Sequence, residues 1–130
     1  MTNQSVFVTD DDQTYVETIQ EILIGAGYQQ VTWHVGNGAF HKIRRTQPKL
    51  VLLDISFTDP GRSWITLETL RLHPATRHIP IILYSTDMKL LNEKADLLRE
   101  LGCQTLEKPF ELETLLDKIT AVIGPPAPTP

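Results

Sequence analysis

Five short apolar, β-rich runs alternate along this chain with segments whose apolar residues recur every three or four positions. That alternation is what most narrows the folds open to it. The runs predict strands near residues 5–9, 30–35, 50–54, 80–85 and 104–107, and the periodicity between them predicts helices near 13–24, 37–46, 63–72, 87–100 and 111–123. Leu112, Leu115, Leu116, Ile119, Val122 and Ile123 share one helical face, as do Tyr15, Ile19, Ile22 and Leu23, and again Leu91, Ala95 and Leu98. Strands that alternate with helices imply right-handed crossovers and a parallel sheet covered on both faces, which is why the strands read as unbroken apolar runs. The fold class is α/β. At 130 residues and 41% hydrophobic, the chain fits one domain with an ordinary core.

Punctuation agrees with that segmentation. Gly25 and Gly27 close the first helix, Gly102 closes the fourth, and Asp59-Pro60-Gly61 reads as a turn. The expected domain runs over residues 1–124. Residues 125–130, Pro-Pro-Ala-Pro-Thr-Pro, cannot continue a helix and have little to bury, so they are expected to form a disordered tail or linker stub.

The net charge of -4 and the scattered lysines and arginines offer no broad basic surface to a phosphate backbone, so nucleic acid is not an expected direct partner. The single cysteine, Cys103, cannot form an internal disulfide, and the start of the chain has neither a basic stretch nor a long apolar one. A cytoplasmic setting is expected. The apolar runs fall well short of the roughly 20 residues needed to cross a bilayer, so no membrane span is expected.

Chemistry collects at the strand ends. Asp10 and Asp11 follow Val6-Phe7-Val8-Thr9, Asp54 follows Val51-Leu52-Leu53, Ser85 follows Ile81-Ile82-Leu83-Tyr84, and Lys108 follows Leu106-Glu107. In a parallel sheet these positions meet in one crevice beyond the carboxyl ends of the strands. Carboxylates that close raise one another's pKa unless a cation intervenes, and oxygen donors with no His or Cys beside them favour Mg²⁺. A carboxylate at the end of a central strand can act as a nucleophile toward phosphorus, with Lys108 neutralising the phosphoryl charge and the Ser85 hydroxyl donating to a phosphoryl oxygen.

Over about residues 5–123 the chain resembles the receiver domains of bacterial two-component response regulators. The resemblance rests on Asp10-Asp11 after the first strand, Asp54 after the third, Ser85 after the fourth and Lys108-Pro109-Phe110 after the fifth, in that order. It implies a flavodoxin-like (CheY-like) sheet of order 2-1-3-4-5 with five helices. It also implies a signalling phosphoprotein rather than an enzyme with a substrate of its own. Asp54 would take a phosphoryl group from a phosphohistidine on a histidine kinase or phosphotransfer protein. Mg²⁺ would be held by Asp11, Asp54 and the Ser56 carbonyl, with Asp10 acting through water. Ser56 and Asp87 would tune the lifetime of the acyl phosphate, and the signal would pass to a downstream protein or a second copy; because Thr105 lacks the family's aromatic ring, the loop from Ser85 through Thr86 and Asp87 to Met88 is expected to carry most of the switch. A cis Lys108-Pro109 bond is implied as well.

Two departures from the family pattern stand out. Thr105 occupies the place of the usual aromatic before the Lys-Pro pair, and the segment after Asp54 carries Thr58 and Pro60 where the family often has proline at the first of these. Asp10-x-Asp12-x-Thr14 also resembles the nucleophile motif of haloacid-dehalogenase-type phosphatases, with Asp10 as nucleophile, but this leaves Asp54 without a role. A third alternative is a receiver-like interaction module that works without phosphorylation.

Overall fold

A computed structural model of the protein describes residues 4–35, 38–55 and 60–126. Five strands, β1 (Val6–Asp10), β2 (Val31–Val35), β3 (Leu50–Asp54), β4 (Ile81–Ser85) and β5 (Cys103–Glu107), form one sheet of order β2-β1-β3-β4-β5. Every neighbouring pair is parallel. Strands β1 and β4 are buried along their whole length, as a sheet covered on both faces requires.

The helices are α1 (Gln13–Gly25), α2 (Ala39–Thr46), α3 (Pro60–Leu72), α4 (Met88–Glu93), α5 (Ala95–Glu100) and α6 (Leu112–Ile123). On one face Val16, Ile19 and Leu23 of α1 and Leu115 and Ile119 of α6 pack against Val6, Val8, Leu50, Leu52, Ile82 and Tyr84. On the other face Ile43 of α2, Leu67 and Leu70 of α3, Leu91 of α4 and Leu98 of α5 cover Phe7, Val51, Leu53, Ile81 and Leu83. Successive strand residues point to opposite faces, so odd and even positions of each strand fall into different cores.

Three expectations change. The single helix over 87–100 is two, α4 and α5, meeting at Lys94, which ends the first and opens the second. Leu91 and Leu98 are buried, but Ala95 faces solvent, so nothing apolar holds the stripe together at its middle. Second, Pro60 and Gly61 of the expected turn belong to α3, while Asp59 lies outside the described residues; proline suits a first helical position, where its missing N–H has no intrahelical acceptor to lose. Third, the chain after α6 has a contact to make. Pro126 lies against Gly27, where a Cβ would come 3.0 Å from Pro126 Cβ and where φ is +109°. Gln4 Nε2 donates to the Ile123 and Pro125 carbonyls, and the Tyr28 hydroxyl donates to Gly124 O at 3.1 Å. Residues 127–130 lie outside the described ones.

Among the described residues no helix is long and apolar enough to cross a membrane.

Candidate functional site

The sheet register sets the site. Thr9 pairs with Leu53 and Asp54 with Tyr84, which puts Asp10, Asp54 and Tyr84 level with one another and on one face of the sheet. Asp10, Asp11 and Asp54 line one crevice at the carboxyl ends of β1 and β3, together with Ser63 and Thr66 of α3. The Ser63 hydroxyl donates to the Asp54 carbonyl at 2.8 Å and so fastens the start of α3 to the end of β3.

Lys108 reaches the same place from beyond β5. The Lys108-Pro109 bond is cis, and the Lys108 N–H donates to Ser85 O at 2.8 Å. Its ammonium donates to Asp10 Oδ2 at 2.9 Å and to Asp54 Oδ1 at 3.4 Å. Three donors converge on Asp10: the Asp12 N–H on Oδ1 at 3.0 Å, and on Oδ2 both Lys108 Nζ and the Tyr84 hydroxyl, the latter at 3.1 Å. A charge as buried as Asp10 needs such partners. Asp11 is exposed at the rim, and Asp12 caps α1 by accepting the Tyr15 N–H at 3.3 Å.

Asp54 has fewer partners, and its carboxyl is pushed up to about 7. Burial is the main cause, the negative charge of Asp10 adds to it, and Lys108 opposes both. Asp54 therefore holds a proton more tightly than an ordinary carboxylate does.

Under the two carboxylates lies an aromatic floor that inspection of strand ends does not find. The Lys108 ammonium sits 4.0 Å from the centre of the Tyr15 ring and 5.0 Å from that of Tyr84. The two tyrosines stack with centroids 6.0 Å apart, and Phe110 meets both edge-on at 6.2 Å. Both phenols are held protonated well above their ordinary range, by burial first and then by the Asp10 and Asp54 charges. Tyr84 belongs to its strand's apolar run and reads as core in the sequence; only the register against Asp54 brings its hydroxyl to a carboxylate.

Ser85 is buried at the end of β4, next to Tyr84, and its Oγ accepts the Asp87 N–H at 3.0 Å. Asp87 caps α4 by accepting the Leu90 N–H at 3.0 Å, Thr86 is exposed between them, and Thr105 is half-buried on β5 opposite Leu83. Ser56, expected to offer its carbonyl to a metal, and Thr58 lie outside the described residues. Among the described residues no group of three or more His, Cys, Asp and Glu side chains is drawn together to hold a metal ion; Lys108 supplies the positive charge between Asp10 and Asp54. The donors that line the crevice still suit Mg²⁺, which needs only one or two carboxylates and keeps most of its waters.

A family model described as the response regulator receiver domain matches residues 6–120. The chain belongs to that family. Among solved structures, the Vibrio cholerae chemotaxis protein CheY4 superposes with a TM-score of 0.79 at 23% identity, covering 93% of this chain and 99% of that one. A CheY-like receiver domain from Methylobacillus flagellatus superposes at 0.77 with 21% identity, again over 93% and 99% of the two chains. Among curated proteins, a 3',5'-cyclic-nucleotide phosphodiesterase of Dictyostelium discoideum is 31% identical over 125 residues, which are 91% of this chain and 15% of that protein. The receiver domain thus spans a small part of that relative's length. The five-stranded receiver fold of order 2-1-3-4-5 is as the resemblance implies, with six helices among the described residues in place of five.

Proposed function

We propose that this receiver domain is a Mg²⁺-dependent phosphoacceptor that takes a phosphoryl group onto Asp54 from a phosphohistidine of a histidine kinase or phosphotransfer protein. The observation that carries the reading is the Lys108 ammonium held between Asp10 and Asp54, a counter-charge beside a carboxylate that burial makes hungry for positive charge.

One oxygen of Asp54 attacks phosphorus. The P–N bond of the phosphohistidine breaks, its electron pair passes to the imidazole nitrogen, and Asp54 becomes an acyl phosphate. Lys108 turns from Asp54 Oδ1 to a phosphoryl oxygen, where its charge is needed as the negative charge there grows. The Ser85 hydroxyl donates to a second phosphoryl oxygen. Water later attacks phosphorus, releasing inorganic phosphate and restoring the carboxylate. Asp11, Asp54 and the Ser56 carbonyl would hold Mg²⁺, with Asp10 contributing through water. When bound, the ion would supply positive charge that neutralises the carboxylates and the phosphoryl group.

Asp10 is a weaker candidate nucleophile, since both its oxygens already accept hydrogen bonds, and the phosphatase alternative draws no support from the family match. An interaction module without phosphate turnover gives no reason for a full set of acids, hydroxyl and lysine. The phosphorylated form would signal through protein contacts, either with a downstream target or with a second copy, from residues 1–124 as one domain in a cytoplasmic setting.

Incubation with Mg²⁺ and acetyl phosphate should add one base-labile phosphoryl group, which mass spectrometry should locate at Asp54. Asp54→Asn should abolish it. A label at Asp10, or undiminished labelling in the substituted protein, would refute the reading.

A further inference from the structure

The proposed transfer uses Asp54, Lys108 and Ser85 and gives no task to Tyr84, yet Tyr84 touches both Asp10 and Lys108. The side chain is 1% exposed, and its hydroxyl lies 3.1 Å from Asp10 Oδ2 and 3.0 Å from the Thr9 carbonyl. One hydroxyl hydrogen thus faces two acceptors, both at the carboxyl end of β1. A buried phenol must bond its hydroxyl or bear the cost of leaving it bare, and a strand position filled by an aliphatic residue would avoid the question. Here the partner is a site carboxylate.

The ring does a second thing. Lysine carries its charge on a flexible four-carbon stem, so something has to fix where the ammonium rests. Tyr84 and Tyr15, stacked at 6.0 Å and 29°, present adjoining ring faces 5.0 and 4.0 Å from Lys108 Nζ. The two carboxylates pull the ammonium upward into the crevice while the rings support it from below.

We propose that Tyr84 is a positioning residue of the phosphoacceptor site, its hydroxyl fixing the Asp10 carboxylate and its ring, stacked on Tyr15, seating the Lys108 ammonium between Asp10 and Asp54. The proposal rests on the phosphoacceptor reading above. It separates hydroxyl from ring: the hydroxyl acts on Asp10 and therefore on cation binding, whereas the ring pair acts on Lys108 and therefore on the transfer step.

Losing the hydrogen-bond partner of a ligating group weakens metal affinity by about 10- to 100-fold, and Asp10 would reach the ion through water, so Tyr84→Phe should weaken Mg²⁺ binding to the unphosphorylated protein by at most about tenfold, the low end of that range. Tyr15→Leu, which takes away ring area and leaves the Tyr84 hydroxyl, should keep Mg²⁺ affinity and lower kcat for labelling by acetyl phosphate at saturating Mg²⁺. A hydroxyl that served only the fold would leave Mg²⁺ affinity unmoved in a folded Tyr84→Phe protein, and that result overturns its role. In the wild type with ¹³C-labelled tyrosine, Mg²⁺ with beryllofluoride should shift the Tyr84 and Tyr15 ring signals and spare Tyr28, which bonds Gly124 at the far end of the molecule. This measurement decides the matter if Tyr84→Phe does not fold, because a Tyr84 signal that stays put overturns the proposal. Absence of any label at Asp54 in the wild type would instead refute the phosphoacceptor reading, and the Mg²⁺ titrations would still decide whether Tyr84 positions Asp10.

Discussion

Asp54 on β3 and Tyr84 on β4 are partners in the parallel ladder, so a carboxylate and a phenol from distant parts of the sequence face the same way at the same level. Asp10 stands beside them, and Lys108 closes the group from beyond β5. The site is thus a charged layer laid on an aromatic one. Its energetics follow from burial: two carboxylates and one ammonium leave a net negative charge where water is scarce.

Lys108→Ala should make that deficit measurable. The Lys108 side chain is 16% exposed, against 3% for Asp10 and 10% for Asp54, so the pair is sheltered from solvent. Removing one partner of a buried pair costs about 3–5 kcal/mol, and we expect about 3 kcal/mol in urea unfolding at pH 8. Toward pH 5 the loss should shrink as a proton replaces the missing ammonium on the carboxylates. An equal loss at both pH values would refute the electrostatic account.

Asp54→Asn should stabilise the fold at alkaline pH. The Asp54 carboxyl is raised from 3.8 to about 7 in the folded protein, so the folded state binds the proton more tightly than the unfolded one. Stability from this group is therefore greatest below pH 4, falls as pH rises toward 7, and stays low above it. At pH 8 the substitution should raise stability, and at pH 4 it should change little. Thermal unfolding of both proteins at the two pH values, without Mg²⁺, tests the sign. Adding Mg²⁺ should narrow the gap at pH 8 by stabilising the wild type alone.

The strands were legible because a strand covered on both faces must be apolar throughout, and short runs bounded by polar residues mark their ends. The residues at those ends, Asp10, Asp54 and Lys108, were legible for the same reason, since a charge after an unbroken apolar run stands out. Tyr84 was not, because it lies inside its run and reads as core; only the register against Asp54 shows that its hydroxyl reaches a carboxylate. The break at Lys94 was hidden too, since Leu91 and Leu98 are spaced as in one continuous helix and the exposure of Ala95 depends on how α5 meets β5.

Metal and phosphoryl roles should separate by substitution. Asp11 lines the rim of the carboxylate crevice, whereas Ser85 is buried at the end of β4 with its Oγ accepting the Asp87 N–H. Asp11→Ala should weaken Mg²⁺ binding by about tenfold or more, and Ser85→Ala should leave it nearly intact while slowing labelling at Asp54. Equal losses of Mg²⁺ affinity by calorimetric titration would contradict the assignment.

The switch should run through the cap of α4 rather than through β5. Ser85 Oγ accepts the Asp87 N–H, and Asp87 in turn accepts the Leu90 N–H, so a Ser85 hydroxyl drawn toward a phosphoryl group on Asp54 loosens the cap behind it. Only six residues make up α4, and Lys94 separates them from α5, so little regular backbone resists the change. Thr105 is half-buried, level with Leu83, and has no ring to exchange between exposed and buried positions. Thr105→Ala should therefore leave labelling and partner binding almost unchanged. Asp87→Ala removes a cap worth about 1 kcal/mol, which corresponds to roughly a fivefold shift of a two-state equilibrium toward the rearranged loop. Hydrogen exchange at Leu90 and Leu91 should accelerate accordingly in the unphosphorylated Asp87→Ala protein and should accelerate in the wild type once beryllofluoride is added. If exchange at these amides ignores beryllofluoride, or if Thr105→Ala alone abolishes partner binding, the cap is not the moving part.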